Sequence, residues 1–588
     1  MNIKNFNLHS FHIPVMGIGF TIDSPIKVAA YGISSTVSLV DDILMEKLRA
    51  FYSEKFSLPF EAITNKVNDS RAKRITAYLN MVDQIVKNKF EQLKQSVAEK
   101  GGEFEKYMNM LPDYAEIKKQ FNHFFDNNKT IDDLKNWANS HLQMGSIDVN
   151  IMTKLDKENK FNNEKLPVIY NDAHAALRGF ANSNLHSSIV LSAGMNPRLY
   201  AYFEQLENFF PDKNGQLEKK VILKISDYRS ALIQGKFLAK KGIWISEYRV
   251  ESGLNCGGHA FGSDASLMGP ILEEFKQNKQ ELINTIHQVY VAALAEKNKF
   301  VPAEPLPVKF TAQGGVGTAH EHQFLIEKYE LDSIGWGTPF LLVPEATTVD
   351  NETLDLLCKA KENDLYLSNI SPLGVPFNFL KGNTKDAERL EWIAKGRPGS
   401  SCPREFAKLN TDFTEEVICT ASRQYQHLKL KSLQAQNLPK GELAIANELA
   451  LQKTCLCVGL GTSALLVNGL NTRTEGSGVA VCPGPNMAYY SKIVSLQTMC
   501  NHIYGKENLV DTPNRPHMFL KELELNLDYY HNQLKSYLAK PTDLVKKQLN
   551  NMAKNLESGI NYYKDLFSNQ TEILNQLISL KITTLSNE

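Results

Sequence analysis

Between Leu306 and Ala346 the chain reads LPVKFTAQGGVGTAHEHQFLIEKYELDSIGWGTPFLLVPEA, and this stretch limits the fold more than any other. Val308 to Thr311 is a short β-prone run that leads into Gly314 and Gly315. Ala319 to Tyr329 has helical composition, and Ser333 to Trp336 leads into a second turn at Gly337 and Thr338. A strand that feeds a glycine turn and then a helix is one βα unit, and two in succession predict parallel β/α architecture. Backbone N–H groups freed at such turns point at an anion without help from a cationic side chain. The pair of turns therefore predicts a parallel barrel that binds one phosphorylated cofactor at its C-terminal face. The competing reading of each glycine pair is an ordinary tight turn.

The same alternation recurs elsewhere. From Phe11 to Val40 a short strand meets a Gly17-x-Gly19 turn, a helix starts near Ser24 with Pro25 in its first turn, and a β-rich run follows from Ile33 to Leu39. Residues 1–40 are thus expected to be the first βαβ part of a barrel. From Asp41 to about Lys165 the sequence is charged and helix-periodic, with Ile75, Leu79, Val82, Ile85 and Val86 at the spacing of one amphipathic face. Residues 41–165 are read as a helical insertion. Strand signals return at Ser188–Ser192, Lys220–Ile225 and Gly242–Tyr248, and a strand at Asp364–Ile370 is expected to close the barrel, so residues 166–385 form its remainder. Residues 386–510 are a loop-rich extension bearing most of the cysteines. Residues 511–588 are expected to be a helical hairpin, with Leu520, Leu523, Leu527, Tyr530, Leu534 and Leu538 alternating threes and fours before Pro541.

Composition narrows the function classes. Lys+Arg 65 balances Asp+Glu 65, which removes any bulk electrostatic reason to expect nucleic-acid or membrane-surface binding. No run approaches the roughly 18 apolar residues of a membrane span, and the N-terminal MNIKNFNLHSFHIPV lacks the apolar block of a signal peptide, so a cytoplasmic location is expected. Eight cysteines in 588 residues do not make a disulfide scaffold.

Three motifs in order carry a resemblance: Gly257-Gly258-His259 in ESGLNCGGH, Gly314-Gly315 in AQGGVGT, and Gly337-Thr338 in GWGTPFLLVPEA. Over Phe11–Val40 and about Leu166–Leu380 the chain resembles the nitronate monooxygenase (2-nitropropane dioxygenase-like) flavoproteins and their relatives, the FMN-dependent enoyl reductases. The resemblance implies an FMN-binding (β/α)8 barrel with the cofactor at its mouth. It also implies that Gly314, Gly315, Gly337 and Thr338 hold the phosphate and that Gly258 lies in the cofactor site. His259 would then sit beside the flavin as acid/base or anion-positioning group, a role suited to a side chain titrating near neutral pH. Lys224, at a strand end, would stand near the ring as a cation; the alternative for it is an ion pair at the barrel rim. Met16, Gly17 and Gly19 would be approximate flavin contacts, because PVMGIGF departs from the family's first-strand motif, which often has a Gln and a second Pro. Pro339 likewise stands where Arg is frequent, so a different substrate pocket is expected.

Cys402, Cys419, Cys455 and Cys457, with Cys482, cluster in the extension. The C-x-C pair could supply two ligands of an iron–sulfur cluster or zinc, and the alternative is a set of buried apolar thiols. Arg397 and Arg423 are candidate clamps for a carboxylate or phosphate. The functional expectation is an FMN-dependent oxidoreductase acting on a small organic substrate, with O2 or another acceptor reoxidising the flavin. The alternatives are an NAD(P)H-dependent reductase of activated C=C bonds, an FMN/iron–sulfur oxidoreductase, and a non-catalytic phosphate-ligand sensor or scaffold. The helical additions offer surfaces for a homo-oligomer.

Overall fold

The computed structural model describes residues 8–125, 130–161, 164–192, 194–254, 265–512, 514–539 and 541–579. Eight parallel strands close into a barrel in chain order: β1 (Phe11–Ile13), β2 (Ser34–Ser38), β3 (Ile147–Ile151), β4 (Ser188–Leu191), β5 (Lys220–Ile225), β6 (Ile245–Glu251), β7 (Lys309–Gln313) and β8 (Ser333–Gly335). The ring closes where β8 pairs with β1, Phe11 opposite Ile334 and His12 opposite Gly335. Helices cover the outside, so the fold is the (β/α)8 barrel expected from the alternation.

Strand composition follows from the two environments. In β5 the outward positions Val221, Leu223 and Ile225 are fully buried beneath helices, while Lys224 alternates to the lumen. In β6 and β7 the lumen takes Glu247, Arg249, Glu251, Thr311 and Gln313, and the outer face takes Tyr248, Val250, Phe310 and Ala312. The lumen of these strands is therefore polar, and its charged groups pair with one another. Arg249 Nε and Thr311 Oγ1 both donate to Glu247, at 2.7 and 2.5 Å. Burial, and the neighbouring charges of Arg249 and Lys309, hold His12 well below its usual pKa, so it is neutral.

Two expectations need correction. The segment expected as a helical insertion does carry helices, among them Asp42–Lys55 and Ser70–Gln95, but it also contains β3. That strand reads IDVNI, with lumen-facing Asp148 and Asn150 between outward Ile147, Val149 and Ile151, a short alternation easily lost among polar residues. The run at Asp364–Ile370 does not close the barrel. Leu365–Ser368 instead pairs antiparallel with Phe377–Leu380 in a separate hairpin, where Tyr366 and Leu367 remain exposed, as a barrel strand's core face could not.

The chain beyond the hairpin folds back over the barrel. Met518–Ala539 and Asp543–Leu566 form antiparallel helices, and Leu520, Leu523, Leu527, Tyr530 and Leu534 are buried as the periodicity predicts, while Leu538 is exposed. Among the described residues no helix is long and apolar enough to cross a membrane.

Candidate active site at the barrel mouth

The two glycine turns leave neighbouring strands at one level, because Gln313 pairs with Gly335. Gly314 and Gly315 have φ of 105° and 87°, the left-handed region that glycine occupies without a Cβ penalty. The carbonyls of the β7 turn point toward the extension. Asn486 Nδ2 donates to Gly315 O at 2.7 Å and to Val316 O at 2.9 Å, Arg515 Nη2 donates to Gly315 O at 3.0 Å, and Tyr490 Oη donates to Gly317 O at 2.6 Å. Gly317 N–H is capped by Glu321 at 2.9 Å. Among the described residues, no acceptor takes the N–H groups of Gly314, Gly315, Gly337 or Thr338. Donors without acceptors on two adjacent turns are the requirement of a phosphate cradle.

On the β1 to β6 side of the mouth lies a cleft of about 110 Å³, which none of the four turn residues lines; it connects to the β7 turn through the Gln313–Glu251 hydrogen bond. Gly17, Ser38, Asn150, Ser192, Lys224 and Glu251 reach it from the barrel, Leu373 covers it from the antiparallel hairpin, and Ala407, Leu456, Cys457 and Leu460 cover it from the extension. Lys224 Nζ stands 2.7 Å from Glu251 Oε1, and Gln313 Nε2 donates to the same oxygen at 2.6 Å. Lys224 is thus in an ion pair at the barrel mouth, the arrangement its rim alternative describes.

The fit to FMN divides between its two ends. The free donors suit its phosphate. The cleft is small beside typical cofactor sites of roughly 300 Å³ and upward, so its ring requires side chains to move. Leu254 packs closely on the β7 turn: its Cδ1 lies 2.8 Å from the position a Cβ on Gly315 would take.

The first-strand turn is used differently from expectation. Met16 is wholly buried and its N–H donates to Thr21 Oγ1 at 3.2 Å. The N–H groups of Ile18 and Gly19 both donate to Leu460 O, at 3.1 and 2.8 Å, so this turn receives the extension. Of Met16, Gly17 and Gly19, Gly17 lines the cleft. Cys256, Gly257, Gly258 and His259 lie outside the described residues.

The cysteines gather without forming a metal site. Cys402 and Cys419 share a small apolar cluster with Ala407 and Ala421, and Cys457 packs against it. A hydrogen bond from the Cys419 thiol draws Cys402 down to about 7, whereas burial pushes Cys455 and Cys457 up. Among the described residues no group of three or more His, Cys, Asp or Glu side chains has the geometry to hold a metal ion, so the zinc or iron–sulfur expectation finds no support.

No protein-family model matches the chain, and no curated protein matches it in sequence. Among solved structures, the enoyl reductase domain of MlnA from the macrolactin biosynthesis cluster of Bacillus amyloliquefaciens aligns at 13% identity with a TM-score of 0.32, over 74% of this chain and 89% of that one. FabK from Thermotoga maritima aligns at 13% identity with a TM-score of 0.30, over 69% and 86%. At that level neither likeness decides any chemistry, and the barrel rests on its own strand pairing.

Sequence reasoning missed Glu251, Asn486 and Arg515. Glu251 ends a strand that runs three residues past its expected limit at Tyr248. Asn486 and Arg515 lie far from the turn they hold, and no local pattern links them to it.

Proposed function

We propose that this chain is an FMN-dependent oxidoreductase that reduces an activated C=C bond in a substrate with an apolar chain. The observation that carries the reading is the pair of glycine turns at one level on β7 and β8, their N–H groups without acceptors among the described residues, at the same barrel mouth as a cleft containing a lysine. Gly314, Gly315, Gly337 and Thr338 would hold the phosphate. When bound, the flavin would supply the hydride chemistry.

The residues of the chain set up the rest. Lys224 places a cation where negative charge develops during reduction, and Glu251 and Gln313 fix its position. Because Glu251 also neutralises Lys224, an anionic ligand group has to compete for the lysine. Leu373, Leu456 and Leu460 give the cleft an aliphatic cover that favours a hydrocarbon chain and excludes water. That lining favours C=C reduction over oxidation of a small nitronate, the other reaction the sequence motifs allow. His259 is proposed as proton donor, a role that rests on its place in the Gly257-Gly258-His259 motif alone.

The reading is tested on flavin-loaded protein without oxygen. NAD(P)H is expected to bleach the flavin and an α,β-unsaturated acyl thioester to restore its colour. Lys224→Met should retain FMN and lose about 10- to 100-fold in kcat/KM. Oxygen consumption with an alkyl nitronate, together with no response to the unsaturated thioester, would reverse the choice of reaction.

A further inference from the structure

A second cavity lies in the extension, with a volume of about 150 Å³, between the start of the Thr384–Ala394 helix, the Gly399–Ser401 loop, Arg423, and the segments at Lys453–Cys455 and Arg473–Gly476. Lys385, Arg389, Arg423, Lys453 and Arg473 line it, against the carboxylates of Glu388 and Glu475. Both carboxylates are already engaged. Glu388 pairs with Lys385, and Glu475 is held by Lys47 at 2.6 Å and Arg404 at 2.7 Å. Arg389 is satisfied by Asp386 at 3.0 Å.

Three cations remain without a carboxylate among the described residues. Lys453 Nζ donates only to the carbonyls of Asn369, at 2.6 Å, and Ser371, at 3.1 Å, and burial lowers its pKa. Arg423 lies over the Trp392 ring at 5.2 Å and makes one long bond, at 3.4 Å, to Gly399 O. Its Nε is buried with no acceptor. The side chain of Arg473 has no hydrogen bond or ion pair to described residues, and it is exposed at the cavity's rim. The cavity also holds an orphan of the opposite kind, Glu475 Oε2, a buried acceptor with no donor. Among the described residues this buried donor and this buried acceptor are unpaired, and each carries a desolvation cost that a ligand with matching groups would relieve once the side chain turns toward it. Nor does the site depend on helix-end amides. Arg423 N–H is taken by Ser400 O at 2.8 Å and Tyr425 N–H by Ser422 Oγ at 3.2 Å.

We propose that this cavity binds a phosphate monoester bearing a free hydroxyl, with Arg423, Lys453 and Arg473 taking the phosphate and Glu475 accepting from the hydroxyl. Arginine forks and a lysine point charge match a phosphate dianion, and the cavity volume suits a phosphorylated pentose-sized group. The site is distinct from the barrel mouth but shares a wall with it: Cys455 lines this cavity and Cys457 lines the cleft.

Calorimetric titration of the full-length protein at low ionic strength tests this, with ribose 5-phosphate, inorganic phosphate and ribose as probes. Ribose 5-phosphate is expected to bind, inorganic phosphate to bind at least ~10-fold more weakly, and ribose not at all. Arg473→Ala and Arg423→Lys should each weaken the sugar phosphate at least ~10-fold, and Arg473→Ala should leave the melting temperature unchanged because its side chain is unpaired. Equal affinity for phosphate and its ester would overturn the ester assignment. Absence of binding, or binding insensitive to both arginine variants, would overturn the site. Loss of binding through Gly315→Val alone would place the phosphate at the barrel turns and also overturn it.

Discussion

At position 19 a side chain has nowhere to go. An ideal Cβ there would stand 2.8 Å from Gly461 Cα and 2.9 Å from Gly461 O, so backbone has to shift to admit it. Gly19→Ala is expected to cost about 1 to 3 kcal/mol, the usual range for overpacking, measured by urea unfolding. An unchanged midpoint would mean that the extension does not sit on the first-strand turn. Glu522 makes a second prediction at this scale. It accepts from Ser252 Oγ at 2.6 Å and from Met268 N–H at 2.9 Å, and burial raises its pKa from 4.5 to about 7. The folded protein therefore keeps this proton between about pH 4.5 and 7 while the unfolded chain gives it up. Stability falls as pH rises through that window, by roughly 1.4 kcal/mol per unit at most. Glu522→Gln should remove that part of the decline, seen by comparing unfolding at pH 5 and pH 8. Parallel slopes for the two proteins would show that Glu522 does not hold the proton.

Among the elements, the β7 turn and the chain around Asn486 and Arg515 behave as one unit. Arg515 pairs with Glu321 at 2.7 Å, both almost wholly buried, and Glu321 also accepts from Met518 N–H at 2.7 Å. Removing one partner strands a buried charge, so Arg515→Ala is expected to destabilise by about 3 to 5 kcal/mol. It should also release Gly315 O and weaken phosphate binding at the turns. Arg515→Ala combined with Glu321→Gln should recover part of the loss, and failure to recover any would assign the effect to Asn486 and the turn instead of the ion pair. Strands with apolar outward positions were legible: SIVLS and KVILKI each stand where composition placed them. IDVNI was not, because a polar lumen fills alternate positions with Asp148 and Asn150, and three apolar residues among polar neighbours do not announce a strand. The LYLS run misled in the opposite sense, since β-propensity reports a strand but not which sheet it joins.

For the whole molecule, the chain from the extension through the C-terminal helices completes the barrel mouth. It receives the first-strand turn through Leu460, holds the β7 turn through Asn486, Tyr490 and Arg515, and fixes the flanks of β6 and the helix after it through Glu522. Ser463 closes a further link, exchanging hydrogen bonds with Asp350 N–H and its carboxylate at 2.7 and 2.9 Å. Sequence motifs could find the glycine turns and Lys224, because local strand-and-turn chemistry dictates them. They could not find what covers the turns, since contacts across 150 to 450 residues leave no local periodicity. For the same reason the cysteine cluster left a ligand set and a group of buried thiols both open in sequence, and among the described residues the cysteines are mostly buried with no shared metal geometry. The central claim is that the two turns and the mouth cleft hold FMN, and the visible spectrum of protein purified without air tests it most directly, followed by identification of whatever denaturation releases. The expected result is a two-banded flavin spectrum and about one equivalent of released FMN per chain, as one cradle at one barrel mouth requires. A colourless protein that also fails to take up added FMN would contradict it.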